Sequence, residues 1–255
     1  MWENRVLKNL IEVKKIFDTY NIRFWLDFGT LLGAIREGKL VEHMQDIDLG
    51  MLDEDWEKFV HSLQEFNRSG FKSRVKKFKV NDVIFKTAKL YRFGVYVDLS
   101  IYKILGNYAI DLHDRWGDMK LKFVRFLYYA LPPPKFIRKN VRNANSPLTK
   151  LIKHHFDVLP PKSKMPNSYA VRWLLGWKSY YYNKVPKYYF ERLDRIKLYG
   201  MEFGVPSPVE DYLRYLYGKG WKVPQKDWHA MDDGSFYPLV TKNSIEITES
   251  FTVIG

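Results

Sequence analysis

The first hundred residues contain two kinds of apolar pattern. Apolar residues spaced three or four positions apart, such as Val6, Leu10, Val13 and Phe17, are typical of amphipathic helices. Short apolar runs bounded by Gly, Asn or Asp are typical of β-strands. The predicted helices cover residues 3–20, 31–37 and 53–67, and the predicted strands cover residues 22–28, 47–52, 71–79, 83–91 and 94–102. This order predicts an α/β (α+β) fold, in which helices flank a mixed sheet.

The pattern changes in the second half of the chain. Aromatic-rich helical spacing predicts helices over residues 119–131 and 168–200, and the prolines between them exclude one continuous helix. A further helix is predicted at 208–217, and residues 235–255 form either a tail strand or a loosely held terminus. We therefore expect three regions: a core over residues 1–105, a basic helical and loop insert over residues 106–200, and a C-terminal helical element and tail, packed on the core, over residues 201–255.

Positive charge is concentrated in this insert. The whole chain has a net charge of +13, and residues 121–200 hold 17 Lys and Arg against three acids. A basic segment rich in Tyr and Trp favours binding to an anionic membrane surface, and nucleic acid or an acidic polymer would also be attracted. The alternative interpretation is a solvated, lysine-rich surface.

Composition narrows the class of protein. The chain has no cysteine, which excludes disulfides and thiolate zinc sites. The first residues lack the apolar stretch of a signal peptide, and no run of about 18 apolar residues is present. We expect a cytoplasmic protein, with at most a peripheral hold on the inner face of the cell membrane.

Two carboxylates are the strongest candidates for chemistry. Asp46 and Asp48 alternate along a predicted strand, so both side chains project from the same face. Adjacent carboxylates repel each other unless a cation lies between them, and their oxygens suit Mg²⁺ or Mn²⁺. An isolated Asp-x-Asp is more often solvated charge. Here it follows a strand, a Gly29-Thr30 turn and a helix start, where backbone N–H groups can receive phosphate oxygens.

Two stretches of the chain resemble one known family. Residues 25–36 read WLDFGTLLGAIR and are followed by the acidic strand start at Asp46. Residues 210–224 read EDYLRYLYGKGWKVP, with the Tyr-Gly, Trp and Pro positions of a closing element. In this order the two segments resemble the LicD family of phosphotransferases, which includes the fukutin-related proteins, within the nucleotidyltransferase superfamily. Glu42-His43-Met44-Gln45 stands where many family members carry further acids.

The resemblance implies a reaction as well as a nucleotidyltransferase-like sheet. It implies a metal-dependent enzyme that transfers a phosphorylated alcohol, such as phosphocholine, a polyol phosphate or a phosphonate. The donor is CDP- or CMP-linked, the acceptor is a hydroxyl of a glycan or lipid-linked glycan, and CMP is released, in cell-surface polysaccharide or glycolipid modification. Two alternatives stay open: a nucleotidyltransferase that moves a nucleoside monophosphate from a triphosphate, and a non-catalytic nucleic-acid-binding protein. The paired acids argue against the latter, because they repel a phosphate backbone unless a metal ion lies between them.

The resemblance also assigns roles to individual carboxylates. In the superfamily a third carboxylate completes the site, as a metal ligand or as the base for the attacking hydroxyl. Asp98, an acid within the predicted strand 94–102, is the candidate. Asp27 has a structural role instead: it either orients the Gly-Thr turn or caps the following helix.

Cationic and small residues are expected at the donor phosphates. Gly29, Thr30 and Arg36 are the first candidates, because glycine permits close approach of the backbone and arginine can bind phosphate with two hydrogen bonds. Lys86 and Lys89 are additional candidates. Their three-residue spacing puts them on opposite faces of a strand, so at most one enters the site, and Lys86 is preferred.

Overall fold

The structure is a computed structural model that describes residues 2–40, 46–80, 82–114, 178–224, 236–241 and 245–253. The helices are α1 (Trp2–Thr19), α2 (Phe28–Arg36), α3 (Trp56–Arg68, after a 3-10 turn at Asp53–Asp55), α4 (Tyr188–Glu191) and α5 (Val209–Tyr217). The strands are β1 (Phe24–Leu26), β2 (Asp46–Leu52), β3 (Lys72–Val80), β4 (Val83–Arg92), β5 (Val95–Leu105), β6 (Tyr108–Asp114), β7 (Lys178–Pro186), β8 (Leu193–Leu198), β9 (Met201–Pro206), β10 (Phe236–Thr241) and β11 (Ile245–Val253). No helix in this described part is both long and apolar enough to cross a bilayer.

The main sheet is mixed, as the sequence predicts. Strands β7, β6, β5, β4, β3 and β11 are neighbours in that order. Strand β2 leaves this path and pairs with β5 in parallel, and β1 pairs with β2 antiparallel. Strands β8 and β9 form a separate two-stranded sheet. The α/β (α+β) class is therefore confirmed.

Helices α1 and α3 cover one face of this sheet. Val6, Leu10, Val13 and Phe17 of α1 are all buried, which confirms the amphipathic pattern. The aromatic rings of the two helices meet edge to face, and the ring centroids of Phe17 and Phe66 lie 5.7 Å apart. Alternate residues of β2 are buried in the same hydrophobic core, so the intervening residues of β2 point to the other face.

Close packing of β1 on β2 depends on a glycine. Trp25 is opposite Gly50 in the antiparallel pair, is fully buried, and stacks on Phe190 with the ring centroids 4.5 Å apart. A Cβ atom on Gly50 would lie 2.2 Å from Nε1 of Trp25, well inside van der Waals contact. Gly50 therefore makes room for the indole ring, two residues beyond Asp48.

The segment after residue 177 differs from the prediction. The helix predicted over 168–200 is wrong where the chain is described, because residues 178–186 and 193–198 are strands and only Tyr188–Glu191 is helical. Asn183 and Val185 are buried while their neighbours are partly exposed, which is a two-residue period. Aromatic residues favour strands as well as packed helices, and here the strand period prevails. The predicted helix at 119–131 lies outside the described residues.

Contacts divide the chain into two units at positions that differ from the predicted boundaries. The first unit contains residues 1–113, 181–238 and 243–255, and the second contains residues 114–180 and 239–242. Of the predicted insert, residues 106–113 and 181–200, which include most of β6 and all of β8, belong to the first unit, and residues 114–180 belong to the second. The C-terminal tail contains two strands, and β11 pairs with residues 73–80 of β3, which bears out the strand alternative for this segment.

Candidate functional site

Three carboxylates lie on one face of the sheet. In the parallel pair of β2 and β5, Asp48 is opposite Asp98, and Asp46 is two residues before Asp48. Paired residues of neighbouring strands and residues two apart in one strand share a face. The structure therefore brings Asp46, Asp48 and Asp98 together, as the sequence predicts.

The carboxylates are crowded enough to perturb each other. Burial raises the pKa of Asp48 well above its usual value, and the charges of Asp46, Asp98 and Asp27 raise it further. Burial also raises the pKa of Asp46, and the Asp98 charge adds to this while Lys89 opposes it. The ionised cluster is thus electrostatically unfavourable unless positive charge is supplied.

The donor atoms suit a hard cation that is completed by other ligands. Oδ2 of Asp98 accepts a hydrogen bond from Nζ of Lys89 at 2.5 Å, while Oδ1 of Asp98 is buried without a hydrogen-bond partner among the described residues. In that part of the chain, no three Asp, Glu or His side chains already form a ligand group. Mg²⁺ commonly binds one or two carboxylates and takes its remaining ligands from water and substrate phosphates, so an open set of acids fits it.

The Gly-Thr turn holds Asp48 in place. The backbone N–H of Gly29 donates to Oδ2 of Asp48 at 3.1 Å, and the backbone N–H of Asp48 donates to Oγ1 of Thr30 at 2.8 Å. Thr30 is fully buried. The N–H of Gly29 and the hydroxyl of Thr30 thus position Asp48, and the prediction that these two residues line the donor phosphates stays a prediction. The N-terminus of α2 attracts anions, and its first N–H groups donate to the carboxylates of Asp27 and Asp48.

Asp27 anchors the start of α2 to the C-terminal helix. It is fully buried and caps α2, with Oδ1 accepting from the N–H of Phe28 at 2.9 Å. The hydroxyl of Tyr212 in α5 donates to Oδ1 at 2.7 Å, and the hydroxyl of Tyr102 in β5 donates to Oδ2 at 2.9 Å. Burial raises the pKa of Asp27 to about 6, and these hydrogen bonds oppose the rise. The predicted capping role is confirmed.

Phe28, between the cap and the turn, has an uncommon backbone. Its φ angle is +37°, in the left-handed region that bulky residues rarely adopt. Such a residue costs roughly 1–3 kcal/mol and persists only where the surroundings hold it. Here the bonds of Asp27 and Asp48 on either side of the turn hold it.

The two candidate lysines lie on opposite faces, but the preference for Lys86 is wrong. Lys89 is opposite Asp98 in the β4–β5 pair and contacts its carboxylate. Nζ of Lys86 pairs instead with Asp53 at 2.9 Å and lies over the ring of Trp56, away from the acids. Lys86 shares its face of β4 with the buried residues that pack on the helices, so only Lys89 reaches the carboxylates.

Arg36 and Tyr217 border the acid cluster. Nη2 of Arg36 pairs with Glu37 at 2.7 Å. Burial raises the pKa of Tyr217 well above its usual value, the charges of Asp48 and Asp27 raise it further, and Arg36 opposes them. Tyr217, in the last turn of α5, therefore interacts electrostatically both with Asp48 and with Arg36 in the last turn of α2.

A histidine near the cluster escaped the sequence prediction. Nε2 of His113 in β6 lies 2.7 Å from Oδ2 of Asp111. Burial lowers the pKa of His113, but the charges of Asp111 and Asp98 outweigh it and raise the pKa overall. The ring of His113 meets that of Phe28 edge to face, with the centroids 6.0 Å apart. No motif marks this residue, and only the pairing of β6 with β5 brings it near Asp98.

Comparison with known families identifies one match. Residues 21–133 match the family model described as LicD/FKTN/FKRP, nucleotidyltransferase domain. The match confirms the resemblance that residues 25–36 and the Asp-x-Asp strand indicate, and it supports a transferase. The closing element at residues 210–224 lies outside the matched range, although Tyr212 of that element hydrogen-bonds Asp27 within it.

Similar individual proteins add little about activity. An uncharacterized protein of Rickettsia typhi is 29% identical over 112 residues, which cover 44% of this chain and 28% of that protein. An uncharacterized protein of Rickettsia prowazekii is 35% identical over 51 residues, which cover 20% of this chain and 19% of that protein. The chain thus spans about a quarter or less of each relative's length.

Two solved structures of the antibiotic-resistance factor ANT(2'')-Ia are also similar. The solution structure is 13% identical with a TM-score of 0.29, and it matches 58% of this chain and 88% of that chain. The crystal structure, a complex with adenylyl-2''-tobramycin, is 12% identical with a TM-score of 0.29, and it matches 58% of this chain and 95% of that chain. A TM-score this low supports no inference about the present protein.

Proposed function

We propose that this protein is a LicD-like phosphotransferase. It transfers a phosphorylated alcohol, such as phosphocholine, a polyol phosphate or a phosphonate, from a CDP- or CMP-linked donor to a glycan hydroxyl, and it releases CMP. The observation that carries the proposal is the convergence of Asp46, Asp48 and Asp98 on one sheet face, within the residues that match the family model.

The proposed metal ligands are the three carboxylates. Asp46 and Asp48 would hold Mg²⁺ or Mn²⁺, and Asp98 would offer its unpartnered Oδ1. When bound, the cation would neutralise the donor phosphates and the leaving CMP. The hydrogen bond from Gly29 fixes the orientation of Asp48, so the carboxylate is ready for the metal before the donor arrives.

The remaining residues act on the donor and the acceptor. The acceptor oxygen forms a bond to the distal phosphorus of the donor while the bond from that phosphorus to the CMP oxygen breaks. Asp98 is the proposed base for the acceptor proton if it is not a metal ligand. Lys89 and Arg36 are the proposed cationic contacts of the donor phosphates, because Lys89 contacts Asp98 and Arg36 interacts with Tyr217, which also interacts with Asp48.

The acceptor and the location of the protein are further parts of the proposal. A glycan or lipid-linked glycan would place the enzyme in cell-surface polysaccharide or glycolipid modification. The basic residues of segment 121–200 would then bind the anionic inner face of the cell membrane. Nucleic acid is not an expected partner, because a surface that only binds nucleic acid would be weakened by acids that repel the phosphate backbone unless a cation fills the cluster.

Nucleotide analysis tests this function. The protein is incubated with Mg²⁺ or Mn²⁺, a panel of CDP-alcohols and CMP-linked donors, and cell-envelope glycans, and the released nucleotides are separated by chromatography. We expect CMP from at least one donor, none in EDTA, and none with Asp46→Asn. Asp18→Asn, an exposed aspartate in α1, is the matched control. Pyrophosphate from a nucleoside triphosphate, with no CMP from any donor, would favour the nucleotidyltransferase alternative.

A further inference from the structure

The sheet face that carries the three acids continues across β4 and β3, where its side chains are aromatic and basic. Tyr96 of β5 is opposite Asp46 on one side and Tyr91 of β4 on the other, and Tyr91 is opposite Lys72 of β3. One row of side chains across four strands is therefore acid, tyrosine, tyrosine and lysine. In the next row Lys89 follows Asp98 and is itself opposite Arg74. We call Lys72, Arg74, Tyr91 and Tyr96 the tyrosine–lysine face.

The two tyrosines are exposed side by side. Tyr91 is 37% exposed and Tyr96 is 49% exposed, and their ring centroids lie 4.8 Å apart with the ring planes tilted by 44°. Two large aromatic side chains that share a sheet face with perturbed carboxylates form a platform for a ring-shaped ligand. Their hydroxyl groups add hydrogen-bonding capacity at its edge.

Positive charge lies at the far end of the platform. Lys72 and Arg74 are both exposed. Neighbouring strands are about 4.8 Å apart, so Lys72, three strands from Asp46, lies roughly 14 Å from it across the sheet. The cationic end is thus separated from the acid cluster by the width of the tyrosine pair.

We propose that the tyrosine–lysine face binds the acceptor, and that this acceptor is an anionic glycan. Its sugar rings lie on Tyr91 and Tyr96, and its carboxylate or phosphate groups meet Lys72 and Arg74. Naming the ligand an acceptor rests on the proposed phosphotransferase function, whereas the binding itself does not.

Charge favours a glycan over the two other ligands whose rings could lie on the tyrosines, the cytosine base of the donor and a single-stranded nucleic acid. The donor phosphates belong at the acid cluster, and a cytosine base beyond them carries no charge to match Lys72 and Arg74. A single-stranded nucleic acid carries a phosphate at every residue, so one that lies on the two tyrosines would bring further phosphates to Asp46 and Asp98, where the donor phosphates already neutralise the proposed cation. An acidic oligosaccharide can place its charged groups at Lys72 and a neutral hydroxyl at the carboxylates.

Direct binding of acidic oligosaccharides tests the proposal. Fluorescently labelled sialyllactose and hyaluronan oligosaccharides, which combine charged and neutral sugars, are titrated by anisotropy at low and high salt, with maltopentaose as the neutral probe. At least one acidic probe should bind, more weakly at high salt. Tyr91→Ala combined with Tyr96→Ala should weaken this binding by about fivefold or more, since aromatic contacts are lost. Lys72→Ala should weaken it and reduce the salt dependence.

The matched control is Lys79→Ala. Lys79 is an exposed lysine of the same strand, and its odd separation from Lys72 puts it on the opposite face. It should bind each probe like the unmodified protein. The proposal would be overturned if no acidic probe binds, or if all variants bind the probes equally. It would also be overturned if the tyrosine and Lys72 variants lose affinity for CDP or an RNA oligomer and keep their affinity for the glycans. If the nucleotide assay shows no CMP release while glycan binding still depends on the two tyrosines, the proposed reaction is refuted and the proposed binding face is supported.

Discussion

The packing of Trp25 against Gly50 leads to a prediction that can be worked out from distances. Replacing Gly50 by Ala would put Cβ 2.2 Å from Nε1, 2.3 Å from Cε2 and 2.8 Å from Cζ2 of Trp25. Ordinary contacts lie near 3.5–4.0 Å, so the indole or strand β2 must move by more than about 1 Å. The ring of Phe190, stacked at 4.5 Å, lies against the indole and resists that movement.

The expected cost of Gly50→Ala is therefore large. Overpacking of a buried site typically costs about 1–3 kcal/mol, and the fully buried indole places this case near 3 kcal/mol. With a urea m-value of about 1–3 kcal/mol/M, the midpoint should fall by roughly 1–3 M. Urea unfolding followed by circular dichroism gives the measurement.

A double-mutant cycle separates this clash from a general intolerance of alanine. Leucine at position 25 lacks the three indole atoms that the new Cβ would meet, so Trp25→Leu should be destabilising alone but should remove the penalty of Gly50→Ala. We expect a coupling of about 2–3 kcal/mol between the two substitutions, at the upper end for contacting residues. A Gly50→Ala cost below about 0.5 kcal/mol, or additive effects in the cycle, would refute the reasoning.

Three further predictions concern the acids and the basic segment. Asp48→Asn should lower turnover by about 10²-fold or more. In EDTA the substitution should not lower the unfolding temperature, because burial and neighbouring acids raise the pKa of Asp48 and penalise its charged form. A marked loss of stability would contradict this. The pKa of Asp27 is about 6 in the folded protein and about 3.9 in the unfolded chain, so the folded state favours the protonated carboxyl. The free energy of unfolding should therefore fall by roughly 3 kcal/mol as the pH rises from about 4 to 6. Urea unfolding in EDTA across this range should show that loss, and Asp27→Asn should remove that part of the slope; an unchanged slope would refute the assignment. Sedimentation with anionic vesicles should show binding that weakens with added salt, and indifference to vesicles at low salt together with tight RNA binding would favour the nucleic-acid alternative.

Local patterns were sufficient for the acids because a strand has a two-residue period. That period put Asp46 and Asp48 on one face, and the family resemblance supplied Asp98 as the third acid. The same two-residue period also bears on which of the two candidate lysines reaches the acids. Lys86 has the same parity as Ala88 and Leu90, which are buried under the helices, whereas Lys89 has the parity of the exposed Tyr91. Phe85, however, is also buried and has the parity of Lys89, so the apolar pattern of β4 alone did not select a lysine.

Contacts between residues far apart in the chain could not be predicted from the sequence. Tyr212 reaches Asp27 across 185 positions, and nothing in the hydrophobic pattern indicates that α5 places a hydroxyl there. The hydrogen bonds of Gly29 and Thr30 to Asp48 could not be predicted for a related reason. A helix N-terminus binds an anion, but whether that anion is a ligand or a side chain depends on what the fold brings near, and here it is Asp48.

The central claim is that the three carboxylates hold a divalent cation against the donor phosphates. It is tested most directly by titrating Mn²⁺ into the protein, with and without CDP, and following the free ion by electron paramagnetic resonance. We expect one bound Mn²⁺, held more tightly when CDP is present, and loss of that binding in Asp48→Asn but not in Asp18→Asn. Mn²⁺ binding that is absent from the unmodified protein even with CDP, or is unchanged by Asp48→Asn, would contradict the claim.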